Sequence, residues 1–116
     1  MNVAIKRIYE EPGHNDGTRV LVDRVWPRGV AKAEANLDEW VKDVAPSTDL
    51  RSWYGHDPDK FEEFSEKYRS ELNSEQGKEA LQQLKEAVTG KRLTLLTATK
   101  DLDHSHVTVL AEQLST

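Results

Sequence analysis

The segment Val20-Leu21-Val22-Asp23-Arg24-Val25-Trp26-Pro27-Arg28-Gly29 decides how this chain is read. Its first part is apolar on both alternating faces, the mark of a strand covered on both sides in the middle of a sheet. It then turns abruptly to an acid, two arginines, a tryptophan, a proline and a glycine. Proline fixes the backbone there, and each arginine presents a rigid fork of donors suited to phosphate or carboxylate. In an open α/β sheet, ligands bind beyond the carboxyl ends of the strands, so this is the place to look for one.

A second segment has the same form. Residues 92–98 (Arg-Leu-Thr-Leu-Leu-Thr-Ala) read as an apolar strand, followed by Thr99-Lys100-Asp101. If the two strands run parallel, their charged ends share one edge of the sheet and converge. Around them, residues 3–9 read as a first strand and residues 11–17 as a loop, with the second strand covering residues 19–25. Residues 32–35 form a short helical turn. Residues 37–45 have apolar spacing that suits a helix and β-branched content that suits a strand; a strand over residues 39–44, ended by Ala45-Pro46-Ser47, is the expectation. Ser47 or Thr48 caps a short helix through Trp53. Asp57 before Pro58 marks another helix start, and Phe61, Phe64, Tyr68 and Leu72 make its apolar face. Ser74 opens a helix with Leu81, Leu84 and Val88 on its face and Gly90 as its stop. Val107, Leu110, Ala111 and Leu114 define a last helix, with Asp101 or Asp103 as its cap. The interleaving of strands and helices predicts an α/β fold: one domain over residues 1–116, a layered sandwich with a small, mostly parallel or mixed sheet flanked by helices.

Composition narrows the function. With 32% charged and 36% hydrophobic residues among 116, the core must be compact and the surface highly charged. No apolar run approaches the roughly 20 residues that span a bilayer, and the first residues lack a signal peptide's order, so a soluble, cytoplasmic protein without a membrane partner is expected. The absence of cysteine excludes disulfides, thiolate metal sites and a cysteine nucleophile. A net charge of −5 argues against non-specific nucleic-acid binding, which depends on neutralising phosphates. No Walker or dinucleotide-type glycine loop and no Gly-x-Ser-x-Gly elbow occurs, so no cofactor is expected. The four histidines (14, 56, 104 and 106) are scattered, and no metal site is expected.

The candidate site is an anion pocket. Arg24, Arg28 and Lys100 would hold a phosphate or carboxylate, with Trp26, Lys42 and His56 among the ligand-binding residues. Asp23 or Asp101 would orient the cations, and His104 or His56 would act as acid or base if there is chemistry. A helix N-terminus keeps His104 neutral and able to accept a proton. His106, two residues on, is expected to face solvent. Such a pocket would suit a small hydrolase or transferase acting on a nucleotide-like or phosphorylated metabolite. Two other readings compete with it. Trp26, Trp40 or Trp53 beside basic residues would make a non-catalytic module for a protein or nucleic-acid partner. Alternatively, the Asp-Arg-x-Trp-Pro-Arg-Gly block is a structural latch whose ion pairs hold loops together. For the arginine pair itself, the alternative to anion binding is that one arginine stacks on Trp26 or Trp53.

Several blocks, in order and over nearly the whole chain, resemble the YeaO-like family of bacterial and archaeal proteins. They include Asp16-Gly17, Arg19 with Asp23-Arg24-Val25-Trp26-Pro27-Arg28-Gly29, Leu37-Asp38 with Trp40 and Lys42-Asp43, and Ala45-Pro46-Ser47. Leu50-Arg51 with Trp53, His56-Asp57-Pro58, Phe64 with Tyr68 and Glu71-Leu72, and Leu93-Thr94-Leu95-Leu96 with Lys100-Asp101 and His104 continue the match. The resemblance implies a small α/β domain and carries no established activity. It marks Asp23, Arg24, Trp26, Arg28, Lys42, Trp53, His56, Lys100, Asp101 and His104 as motif positions. The chain departs from the family pattern at Thr97-Ala98-Thr99 and at Ser105-His106.

Overall fold

A computed structural model describes residues 2–115. Four strands form one fully parallel sheet: β1 (Asn2–Arg7), β2 (Thr18–Leu21), β3 (Glu39–Trp40) and β4 (Arg92–Thr97), in the spatial order β1-β4-β2-β3. The helices are α1 (Lys32–Ala35), α2 (Thr48–Tyr54), α3 (Phe61–Leu72), α4 (Glu75–Ala87) and α5 (His106–Ser115), with single 3₁₀ turns at Lys42–Val44, Pro58–Lys60 and Leu102–His104. Among the described residues, no helix is long and apolar enough to cross a membrane.

The two-residue period of the strands sorts the core into two sides. On one side, Val20 and Val22 with Leu93 and Leu95 pack against Leu50, Tyr54, Phe64, Tyr68, Leu84 and Leu110 of α2 to α5. On the other, Leu21 and Leu96 pack with Ile8 and Ala35, under Trp26, Val30, Leu37 and Trp40. The long helices therefore share one face, while α1 and a pair of tryptophans close the other. Each fully buried leucine or phenylalanine contributes about 1.5–3 kcal/mol, and β2 and β4 supply most of the inner layer.

Local caps follow the sequence. Ser47 accepts the Leu50 N–H at 3.2 Å and begins α2; Ser74 accepts the Gly77 N–H at 3.1 Å and begins α4. Asp57 caps the 3₁₀ turn that leads into α3, not α3 itself. Gly77 carries α4 directly against the end of α3: a Cβ there would lie 2.1 Å from the Glu71 carbonyl oxygen.

Several boundaries differ from expectation. β1, expected over residues 3–9, covers Asn2–Arg7, and the chain turns after it. β2 stops at Leu21 because the chain leaves the sheet at Asp23, whose side chain turns towards the end of β4. The strand expected over residues 39–44 shrinks to Glu39–Trp40, and Lys42–Val44 tighten into a 3₁₀ turn tied down by the Tyr68 hydroxyl donating to the Val44 carbonyl at 2.6 Å. α4 ends at Ala87, and Gly90 (φ 86°) serves the turn into β4. The Asp101 carboxylate makes no cap; it pairs with His104 at 2.8 Å.

Candidate functional site

β2 and β4 are hydrogen-bonded neighbours in register Leu21 to Leu96, so their carboxyl ends emerge side by side. Asp23 joins them. Its carboxylate accepts the Thr97 hydroxyl at 2.7 Å and the Ala98 N–H at 2.8 Å, and its carbonyl accepts the Trp40 indole N–H at 2.7 Å. His106, the first residue of α5, reaches back to the same point. Its Nε2 lies 3.1 Å from the Val22 carbonyl oxygen and 3.4 Å from Asp23 Oδ1. A carbonyl can only accept, so Nε2 carries the hydrogen in this arrangement. Burial opposes ionisation of Asp23. The His106 hydrogen bond and charge, with the Ala98 and Thr97 donors, outweigh it and hold the carboxyl below the usual carboxylate range.

Above this junction lies a cavity of about 600 Å³, within the size range of small-molecule sites. Three arginines line it: Arg24, Arg28 and Arg51. Arg24 is partly committed, its Nη2 donating to the Ala45 carbonyl at 3.0 Å and its Nε to the Pro46 carbonyl at 3.3 Å. Arg28 and Arg51 are exposed, and their guanidinium groups have no hydrogen-bond or ion-pair partner among the described residues. His56, in the left-handed region (φ 57°), and His106 complete the nitrogen-bearing lining. Asp23 is the single carboxylate among the lining residues, and its oxygens are already engaged.

Of the residues expected at the site, Asp23, Arg24, Trp26, Arg28 and His56 line this cavity. Lys42, Lys100, Asp101 and His104 do not. The Lys42 ammonium sits 4.2 Å from the centre of the Trp40 ring, and Lys100 is exposed beyond the end of β4. Asp101 and His104 form their own pair, against the edge of Phe61, and the Tyr54 hydroxyl donates to the His104 carbonyl at 2.6 Å. Burial, with Asp101 and Asp57 nearby, pushes the Tyr54 hydroxyl pKa up, so it stays a donor. His106, expected in solvent, is instead nearly buried against Asp23.

The tryptophans also sit differently from the expectation of an arginine stack. Lys32 lies over Trp26, and Lys60 and Lys67 lie over Trp53. Trp26 and Trp40 meet edge to face at 5.2 Å, and the Trp26 indole donates to the Val30 carbonyl at 2.7 Å. All three rings are only part-exposed. Sequence reasoning missed Arg51 and Tyr9 as lining residues. Arg51 belongs to the Leu50-Arg51 block of the family match but sits inside a short helix, away from the strand ends, and Tyr9 reads as an ordinary aromatic closing the first strand. Among the described residues, no group of His, Asp or Glu is placed to hold a metal ion.

Comparison with known proteins identifies relatives along the whole chain. The family model described as "Inactive DUF488-N3 subclade" matches residues 2–116. An uncharacterized protein of Mycobacterium tuberculosis is 42% identical over 113 residues, covering 97% of this chain and 93% of the relative. The uncharacterized protein YeaO of Escherichia coli is 39% identical over 116 residues, covering 98% of this chain and 97% of the relative. No solved structure matches it.

Proposed function

The chain belongs to the YeaO-like family, within the subclade described as inactive DUF488-N3, and from that premise we propose that it binds a small anion without turning it over. The observation that carries the proposal is the charge of the cavity: three arginines line it, two of them with unpartnered guanidinium groups, against one carboxylate that is fully engaged. On a chain of net charge −5, that concentration of free cations is local and specific. Arg28 and Arg51 would bind the anion, Arg24 would hold the wall of the cavity to the 45–46 backbone, and His56 would supply a further donor.

Two observations support binding over catalysis. Asp23 is consumed as a fastener between strand ends, and the Asp101–His104 pair lies outside the cavity, so of the histidines expected to do acid–base work only His56 lines it, with no disengaged carboxylate beside it. The word "inactive" in the family description agrees with that. A partner-binding module built on tryptophans is less well supported. The indole N–H groups of Trp26 and Trp40 already donate to backbone carbonyls, and the rings lie over the second core cluster.

The test is thermal unfolding with inorganic phosphate, pyrophosphate and citrate, on the parent chain and on Arg28→Ala with Arg51→Ala. An anion at one hundred times its dissociation constant stabilises by about 2.7 kcal/mol. The double variant should lose that gain and keep the unliganded melting temperature, since neither guanidinium has a hydrogen-bond or ion-pair partner among the described residues. No stabilisation by any anion, or stabilisation that survives in the double variant, would overturn the proposal.

A further inference from the structure

Among the described residues, two large hydrophobic side chains stand out as exposed, Tyr9 at 49% and Val25 at 62%, and both line the cavity that holds the free arginines. The exposed part of each side chain gains nothing from burial in the free protein. Placed beside unpartnered cations, the pair makes a two-part surface: one part for negative charge, one for a flat apolar group. The Tyr9 ring is also held in place. Its hydroxyl donates to the Arg28 carbonyl at 3.1 Å, and the Arg7 guanidinium lies 5.0 Å from its ring centre. A cation can cover only one face of a ring, and Tyr9 remains half exposed. The same hydrogen bond fixes the ring next to the backbone of an anion-binding arginine, so a ligand's ring and phosphate would be met by neighbouring residues.

From this we infer that the ligand is a phosphate monoester joined to a planar aromatic group, of the nucleoside monophosphate class, with its base stacked on Tyr9 and flanked by Val25. The inference rests on the anion reading above and adds the ring. A cavity of about 600 Å³ has room for both parts of such a molecule. A bare sugar phosphate or inorganic phosphate would leave the apolar side unused. A neutral nucleoside would leave Arg28 and Arg51 without a counter-charge.

Isothermal titration of the full chain with adenosine 5′-monophosphate, ribose 5-phosphate and adenosine separates the two layers of the argument. Stacking of a base on an aromatic side chain predicts that the nucleotide binds about tenfold or more tightly than ribose 5-phosphate. Tyr9→Ala should erase that ratio and leave ribose 5-phosphate binding nearly unchanged. Tyr9→Phe, which keeps the ring and loses the bond to the Arg28 carbonyl, should preserve the ratio. Equal affinity for nucleotide and ribose 5-phosphate, or a ratio that survives Tyr9→Ala, overturns the aromatic half and leaves the anion site standing. Binding of neither phosphate overturns both. Adenosine binding as tightly as its monophosphate also overturns both, because the arginines would then contribute nothing.

Discussion

Replacing Asp23 with asparagine keeps the shape of the side chain and removes its charge. In the parent protein the carboxylate takes two close donors, the Thr97 hydroxyl at 2.7 Å and the Ala98 N–H at 2.8 Å, and faces His106 Nε2 at 3.4 Å. Hydrogen bonds to a charged acceptor contribute about 1.5–3 kcal/mol each, against about 1 kcal/mol for neutral pairs. An amide also offers one acceptor oxygen in place of two, so one of these donors would face an NH₂ group. The expected loss is about 2–4 kcal/mol, a large share of the roughly 5–15 kcal/mol by which a domain is folded. Urea denaturation at pH 7 reads it as a lower midpoint at unchanged slope. The pH dependence gives a second check. Because the folded pKa of Asp23 lies below its unfolded value of about 3.9, its contribution is fully present above that value. It is lost as pH falls through the lower folded value, and the gap between parent and variant should close there. A loss under about 0.5 kcal/mol at pH 7, or one that stays constant down to pH 2, would refute the account of Asp23 as a charged fastener.

Arg24→Ala should cost about 1–3 kcal/mol, because it strips the Ala45 and Pro46 carbonyls of their donors; thermal unfolding with and without phosphate should show a lower melting temperature and most of the anion-induced shift retained. Gly77→Ala should destabilise by about 1–3 kcal/mol in urea titrations, since the new Cβ would meet backbone of Glu71 and Leu72 that has no room to yield.

What could be read from the chain is what depends on local pattern. The apolar runs at residues 20–22 and 93–96 identify two covered strands, which are parallel neighbours with their carboxyl ends side by side; of the charge that follows them, Asp23, Arg24 and Arg28 line the candidate cavity and Lys100 and Asp101 do not. Ser47 and Ser74 announce their helices by position alone. What could not be read depends on contacts across the fold. Nothing local says that Asp23 ends β2 early, because the groups that draw it out, Thr97 and Ala98, lie more than 70 positions away. His106 was misplaced for the same reason. Helical spacing separates it from His104, but its partner carbonyl is Val22, 84 positions back. The Asp101–His104 pair shows the opposite failure: a nearby contact, three positions apart, competes with the helix cap that the sequence suggests and wins.

The strand order has a consequence for how the molecule comes into being. β1 and β2, both made before β4, never hydrogen-bond to each other; each pairs with β4, and Asn2 waits for Arg92. Closing such distant pairs is slow, since the chain must be brought together before any contact rewards it. A polypeptide interrupted before β4 would therefore have helices but no central strand to unite its sheet. β1 would have no partner and β2, still paired with β3, would expose one edge, both open to strands from neighbouring molecules. Assembly of the sheet thus hinges on one six-residue strand made after all its neighbours, and a chain clipped or stalled before it is exposed to aggregation.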